Sequence, residues 1–557
     1  MFISGFAEVI SIGAVLPFLG ALTAPDIVYS YPIIQPLISG LSLQSPDELA
    51  LPLTIIFALV TLSAGLFRLL FIWYQTRLGH AVGADLSREI YSRTLYQPYS
   101  VHVLRNSSDV ISGIINKANG VVNGVLIPLL VAINAVFMIL IILFTLLFMQ
   151  PKLTLILFGV LGMVYVFVTL IVRRKLEQDS ISISIESNKV VKVLQEGLGG
   201  IRDVLIDGTQ SKYCDVYQVA DRRMRKATAS VQIISNCPRH IIEAFGMIIL
   251  AVIAYTYVSN ANELTTVIPT LSVMVIGAQR LLPVLQQIYS SLAFFKAGQQ
   301  PLLDVVTLLE QPEPSYLTTQ LINDISFKNS IQLNKIKFRY TTKTPWVLKG
   351  LNLEITKGTK VGIIGETGSG KSSLIDIIMG LLQPSEGNFL IDGKIVNEEN
   401  SRSWQRKIAH VPQTIFLTDA SIAENIALGV KPEEIDMALV RECAERAQLA
   451  STIEHMAMNY EEHVGERGIR LSGGQRQRIG IARALYKQAE VLVFDEATSA
   501  LDNNTESIVM DAINNLDDDL TIIMVAHRLS TLSLCEVIIE LSDGKVGKIG
   551  TYKELIA

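Results

Sequence analysis

A chain of 557 residues has room for about three or four domains, but half of its residues are apolar and its mean hydropathy is +0.39, too greasy for an ordinary soluble protein. A net charge of −5 and the lack of a basic tail give no footing for nucleic-acid binding. The four cysteines, Cys214, Cys237, Cys443 and Cys535, form no Cys-x-x-Cys pair and have no histidine placed to complete a site, which excludes a zinc module and leaves reduced thiols.

Six apolar runs, each near the ~20 residues that cross a bilayer, follow in chain order at 2–22, 52–74, 121–149, 153–172, 241–258 and 267–289. A globular domain does not stack so many, so residues 1–310 are expected to form an α-helical transmembrane domain of six helices. A signal peptide is the alternative for the first run; against it stand the missing basic n-region and the missing small-x-small cleavage site. Lys and Arg crowd the segments after the second and fourth runs, whereas 24–50 and 259–266 carry none. The positive-inside rule therefore puts the two long connections in the cytoplasm, and all four cysteines on the cytoplasmic side or at its edge. Both connections read as helical, with bends expected at 99–109 and 208–217 that would meet a cytoplasmic motor. Residues 32–43 place Ile33, Ile34, Leu37, Ile38 and Leu41 at helical spacing, as in a short helix lying in the interface or in a plug packed on the spans.

Ionisable groups inside a span cost about 2.5–3.5 kcal/mol each on insertion scales, so Glu8, Arg68 and Arg280 need a partner or a task. Two readings stand. Each snorkels or pairs internally, or Arg68 and Arg280, joined by Arg239 and Glu243 at the entrance of the fifth span, line a cavity that holds an anionic head group.

Pro312, Pro314 and a polar stretch mark a linker at 311–329, and strand-like alternation from Ser330 opens an α/β domain over 330–557. Its centre is Gly365-Glu366-Thr367-Gly368-Ser369-Gly370-Lys371-Ser372, with Ser373 behind it, lying between a strand-like run and an apolar helical run. Such a loop turns successive N–H groups inward at a polyphosphate, Lys371 reaches the outer phosphates and the Ser372 hydroxyl can ligate Mg²⁺. Upstream, Tyr340 either stacks on an adenine or belongs to the core. Downstream, Gln413 projects from a strand end at Val411-Pro412-Gln413. The loop ending in Leu471-Ser472-Gly473-Gly474-Gln475 opens a helix and forms a second phosphate-facing N-terminus. The buried strand Val491-Leu492-Val493-Phe494 delivers Asp495, able to hold Mg²⁺ through water, and Glu496, free to act as general base. Ser499-Ala500-Leu501-Asp502 follows, and after a further apolar strand His527 is placed to contact the terminal phosphate.

This ordered set of phosphate loop, glutamine loop, LSGGQ, Asp-Glu strand, SALD and histidine resembles the ATP-binding cassette (ABC) ATPases over the whole of 330–557. The resemblance implies two cassettes paired head to tail around two ATP. Each ATP would lie between Lys371, Ser372, Gln413, Asp495, Glu496 and His527 of one copy and Ser472, Gly473, Gly474 and Gln475 of the other. Gln413 would serve as a further Mg²⁺ ligand. Glu496 present and LSGGQ unaltered favour a homodimer with two competent sites.

Membrane spans ahead of the cassette make the chain similar to a half-transporter of the exporter type, as do the loop at 465–468 and the segment 421–426. A closer likeness, carried by 195–203, 415–419, Arg280-Leu281-Leu282-Pro283 and the external helix, is to the lipid-linked oligosaccharide flippases of bacterial protein glycosylation. It implies an ATP hydrolase of the inner membrane that moves a polyprenyl-pyrophosphate saccharide, with membrane lipids as partners and the ATPase domain cytoplasmic. A peptide, drug or other lipid is the alternative cargo, and an ATP-sensing regulator without turnover is the alternative of another class. With Met1 inside the first span and an early Ala557, the family's elbow helix and tail are expected to be missing from a truncated or mis-started chain.

Overall fold

The computed structural model describes residues 10–556 except 11–13, 15–16, 19, 23–24, 33, 42, 150, 261–263, 313–324, 497–502, 515, 517–518 and 527–528. The chain divides into two compact units, 1–96 with 105–312, and 97–104 with 313–557.

In lipid each backbone N–H and C=O must bond within its own segment, which favours helices. The first unit is built from them: α1 Gln35–Leu41, α2 Ala50–Leu95, α4 Ile127–Met149, α5 Pro151–Gly199, α6 Ile201–Ile206, α7 Gln210–Asn260, α8 Leu264–Ala297 and α9 Gln299–Leu309, with α3, Tyr99–Leu104, grouped in the second unit. At 1.5 Å per residue, the 46, 49 and 51 residues of α2, α5 and α7 reach about 70–75 Å, more than twice a ~30 Å hydrocarbon core. The spans thus continue into long polar helices, as the charge pattern implies. Among the described residues, Pro46–Leu95 and Ser107–Phe144 are long and apolar enough to cross a membrane; the other four runs include residues or side chains outside the description.

The first bend, α3, falls where the sequence places it. The second lies earlier than expected, at 200–209 and not 208–217, because α5 stops at the Gly199-Gly200 pair and Gln210 is already helical. In the segment 32–43, Ile34 and Ile38 are buried with Ala21, Val28, Leu49 and Leu53, while Leu41 is exposed. Leu37 packs against the same cluster, as the packed alternative expects, and Ile33 lies outside the described residues.

Two π-helical segments, Gly113–Lys117 and Val122–Leu126, interrupt the helix ahead of α4. They let its backbone run close to the start of α9: a Cβ on Gly124 would stand 3.2 Å from the Gly298 Cα. Nearby, the half-buried Asp304 carboxylate on α9 accepts from Lys117 at 2.9 Å and from Ser184 and Gln300, joining three helices.

A second tie lies on α7. Pro238 sits inside that helix and has no N–H to offer the carbonyl of Ile234 four residues back. The Tyr289 hydroxyl of α8 donates to that carbonyl at 3.0 Å, and the Gln286 amide donates to the next one, Ser235, at 2.7 Å. Tyr165 of α5 donates in turn to Gln286 Oε1 at 3.2 Å.

The second unit has two sheets. One, in the order β2-β1-β4-β5, is antiparallel: β1 Ser330–Phe338, β2 Leu348–Thr356, β4 Glu386–Ile391 and β5 Lys394–Ile395. The other runs β10-β9-β3-β8-β7-β6, with β3 Lys360–Gly365, β6 Ile408–Val411, β7 Val491–Asp495, β8 Thr521–Val525, β9 Val537–Ser542 and β10 Lys545–Gly550. Its strands are parallel except at the β9–β10 hairpin. Near-continuous apolar runs such as β8, buried at all five positions, are what a sheet covered on both faces requires. Ile325 and Phe327 are fully buried in this core, so the end of the expected 311–329 linker belongs to the ATPase fold.

Candidate functional site

The site lies at the C-terminal ends of the parallel strands. β3 ends at Gly365 and the chain turns into α10, Lys371–Ile378. Gly370 caps that helix at φ +100, and a Cβ there would meet Leu348 at 2.9 Å, so the turn demands glycine. Since β8 separates β3 from β7, the ends of the two strands stand about 10 Å apart, with Asp495 in register with Val525 and Val525 with Ile363. Sheet order alone thus brings the phosphate loop opposite Asp495 and Glu496.

The loop fits a polyphosphate. The Lys371 ammonium is buried and donates to the loop's own carbonyls, Gly365 at 2.7 Å and Glu366 at 3.0 Å, with no carboxylate paired to it among the described residues. The Ser369 hydroxyl is buried without a protein partner. A cation and a donor held out of water in this way are costly unless an anion joins them, while Ser372 stands exposed at the first turn.

Glu496 has φ +50, an uncommon conformation for a side-chain-bearing residue. Its N–H bonds the Val525 carbonyl at 2.9 Å and its Oε2 accepts from Gln413 Nε2 at 2.8 Å. The structure therefore joins the two expected catalytic groups directly. Tyr340 packs its ring edge-on to Phe338, and its hydroxyl lies 3.0 Å from Ser373, tying the aromatic to the first turn of α10.

The second glycine loop opens α11, Gly473–Tyr486, through a reciprocal cap: Ser472 Oγ accepts from the Gln475 N–H, and Gln475 Oε1 accepts from the Ser472 N–H at 2.8 Å. Gln475 is thereby committed to the cap, leaving Ser472 and Gly473 exposed and Gly474 buried. Arg483 anchors α11 by donating to the carbonyls of Asn425 and Phe416.

His527 and the segment 499–502 lie outside the described residues. In the membrane unit, Arg68 has no ion-pair partner among the described residues, Arg239 lies 3.9 Å from Glu243, and the side chain of Arg280 and all of Glu8 fall outside the description. Among the described residues, Arg239 and Glu243 are the members of this set that come together.

Sequence reading missed Asp376. Burial, with Asp495 adding repulsion, pushes its carboxyl up to about 6; a helix residue five beyond Lys371 carries no motif that would mark it.

Two family models match the chain, "ABC transporter transmembrane region" over 13–278 and "ABC transporter" over 348–499. The chain is 31% identical over 384 residues to the heterocyst differentiation ATP-binding protein HepA of Nostoc sp., a match that covers 69% of this chain and 62% of that protein. It is 28% identical over 530 residues to an ATP-dependent lipid A-core flippase of Pseudoalteromonas translucida, covering 94% of this chain and 90% of that one. A solved bacterial Atm1-family ABC exporter with ATP bound superposes with a TM-score of 0.79 at 23% identity, over 98% of this chain and 95% of that one, which shows a shared fold.

Proposed function

Because this chain belongs to the ABC transporters, as an exporter-type half-transporter that couples ATP hydrolysis to transport, we propose that it flips a lipid-linked saccharide across the inner membrane. The observation that carries this reading is the alignment with a lipid A-core flippase along both halves, membrane region included. The polyprenyl-pyrophosphate class of cargo rests on the likeness at 195–203, 415–419 and 280–283, with Arg68, Arg239 and Arg280 as candidate anion-binding residues.

In this reading two copies pair, and each site joins the phosphate loop of one to Ser472, Gly473 and Gly474 of the other. Bound ATP supplies the phosphoanhydride whose cleavage drives the cycle. Lys371 and the loop N–H groups would neutralise phosphate charge, and Ser372, Asp495 and Gln413 would form the donor set for Mg²⁺. Gln413 donates to Glu496 through its amide Nε2 and keeps its Oε1 for a cation, so it would both orient the base toward the attacking water and complete the Mg²⁺ donor set. By the family resemblance, His527 would contact the terminal phosphate.

The test is ATPase stimulation of the reconstituted protein by polyprenyl-pyrophosphate saccharides, core-bearing lipid A, peptides and drugs. Stimulation by a saccharide lipid is expected; a response confined to peptides or drugs overturns the cargo.

A further inference from the structure

The β9–β10 hairpin turns at Asp543 and Gly544, with φ +45 and +75. Positive φ at both central residues of a two-residue loop makes this a type I′ turn, the hairpin form that matches the twist of its strands. A hairpin tip at the edge of a sheet ordinarily faces water, but this one is built into its surroundings. The Gly544 N–H donates to the carbonyl of Ser369, inside the phosphate loop, at 3.2 Å. The Gly544 carbonyl accepts from the Lys349 N–H of β2 at 2.9 Å, and the Asp543 carboxylate holds the Lys349 ammonium. No side chain fits at Gly544: a Cβ would stand 2.2 Å from the Val347 carbonyl. Three residues before Gly544, the Leu541 carbonyl lies where a Cβ on Gly365 would stand, at 2.3 Å.

A loop that turns its N–H groups inward at phosphate must turn carbonyls outward, and a carbonyl left without a donor draws the peptide out of that curl. Ser369 is such a residue, and its donor comes from 175 positions downstream. We propose that the Asp543–Gly544 turn is a positioning element for ATP hydrolysis, holding the phosphate loop in its anion-binding curl before nucleotide arrives. Part of the ordering that binding would otherwise cost is then already in place. The inference rests on nucleotide binding at the loop and is independent of the cargo.

The chain contains its own control. Asp392 and Gly393 form a second Asp-Gly turn, between β4 and β5, with φ +48 and +77, and a Cβ on Gly393 meets nothing within 4 Å. Full-length Gly544→Ala and Gly393→Ala proteins share the left-handed strain of alanine, but only the first displaces an N–H from the phosphate loop. Gly544→Ala is expected to raise KM for ATP about tenfold while kcat at saturating ATP stays within about twofold. Gly393→Ala is expected to leave KM unchanged. Equal KM shifts in the two variants, or an unaltered KM in Gly544→Ala, overturn the proposal. Should Gly544→Ala fail to fold, Lys349→Met cuts only the side-chain tie to the turn. It is expected to speed amide hydrogen exchange at 366–371 in nucleotide-free protein, and unchanged exchange there overturns the proposal equally.

Discussion

The Pro238 tie can be broken one bond at a time. Tyr289→Phe removes the hydroxyl that satisfies the Ile234 carbonyl and leaves the ring, which is buried and packs against Tyr165 with centroids 5.5 Å apart. A buried carbonyl stripped of its donor costs about 1–3 kcal/mol in soluble proteins, but interhelical bonds in membrane domains average about 0.6 kcal/mol and reach about 1.7. A loss of about 1 kcal/mol is therefore expected. The same substitution in a Pro238→Ala background should cost less than half as much, because alanine restores the N–H that bonds Ile234 along the helix. The measurement is equilibrium unfolding of the membrane domain by SDS titration for the four proteins of the cycle. Equal costs of Tyr289→Phe in both backgrounds would refute the claim that Tyr289 stands in for the donor missing at Pro238.

In the ATPase unit, Glu496→Gln should lower hydrolysis by about 10²–10⁴ while nucleotide binding, followed by a fluorescent ATP analogue, persists; undiminished turnover rejects Glu496 as the base. Asp376 has its carboxyl raised from 3.8 to about 6, so it favours the fold fully below about pH 4 and loses that contribution as pH rises through 6. Asp376→Asn should accordingly flatten the fall in stability between pH 4 and 7 seen by thermal unfolding, and a wild-type profile in the variant would remove the assignment. Burial pushes the Cys443 thiol up to about 11 and the Cys535 thiol up to about 12, whereas Cys214 and Cys237 are exposed. Maleimide should modify the latter pair in native protein and reach the former only on unfolding; mass spectrometry of the labelled peptides reports which.

The described part of the candidate ATP site was legible because its residues sit at strand ends and helix starts, where spacing along the chain decides spacing in the fold. An apolar strand closing on Asp495-Glu496 can be placed beside a glycine loop from pattern alone, and the sheet order β3-β8-β7 does so. What pattern does not reach is the outward side of the same loop. The bond from Gly544 to Ser369, the hydroxyl of Tyr340 on Ser373 and the raised Asp376 all join residues whose separation in sequence carries no period. The second bend was misplaced for a related reason: Gly208 attracted the boundary, although Gly199 and Gly200 had already ended α5.

The membrane unit reverses that balance, with its elements plain and its polar ties hidden. Hydropathy reports which helices are apolar, but Tyr165, Gln286 and Tyr289 look unremarkable within apolar runs until Pro238 is found opposite them with a carbonyl to satisfy. Where lipid offers no water to complete a backbone, each missing donor must be met by a named group on a neighbouring helix. A proline within a long helix packed against its neighbours therefore predicts a hydroxyl or amide facing the residue four positions before it. Arginines in spans carry no comparable rule, because a long cationic side chain can reach an interface, a carboxylate or a ligand with equal ease. For that reason Pro238 yielded a mutational cycle, whereas Arg68 and Arg280 yield only a choice of cargo to be settled at the vesicle.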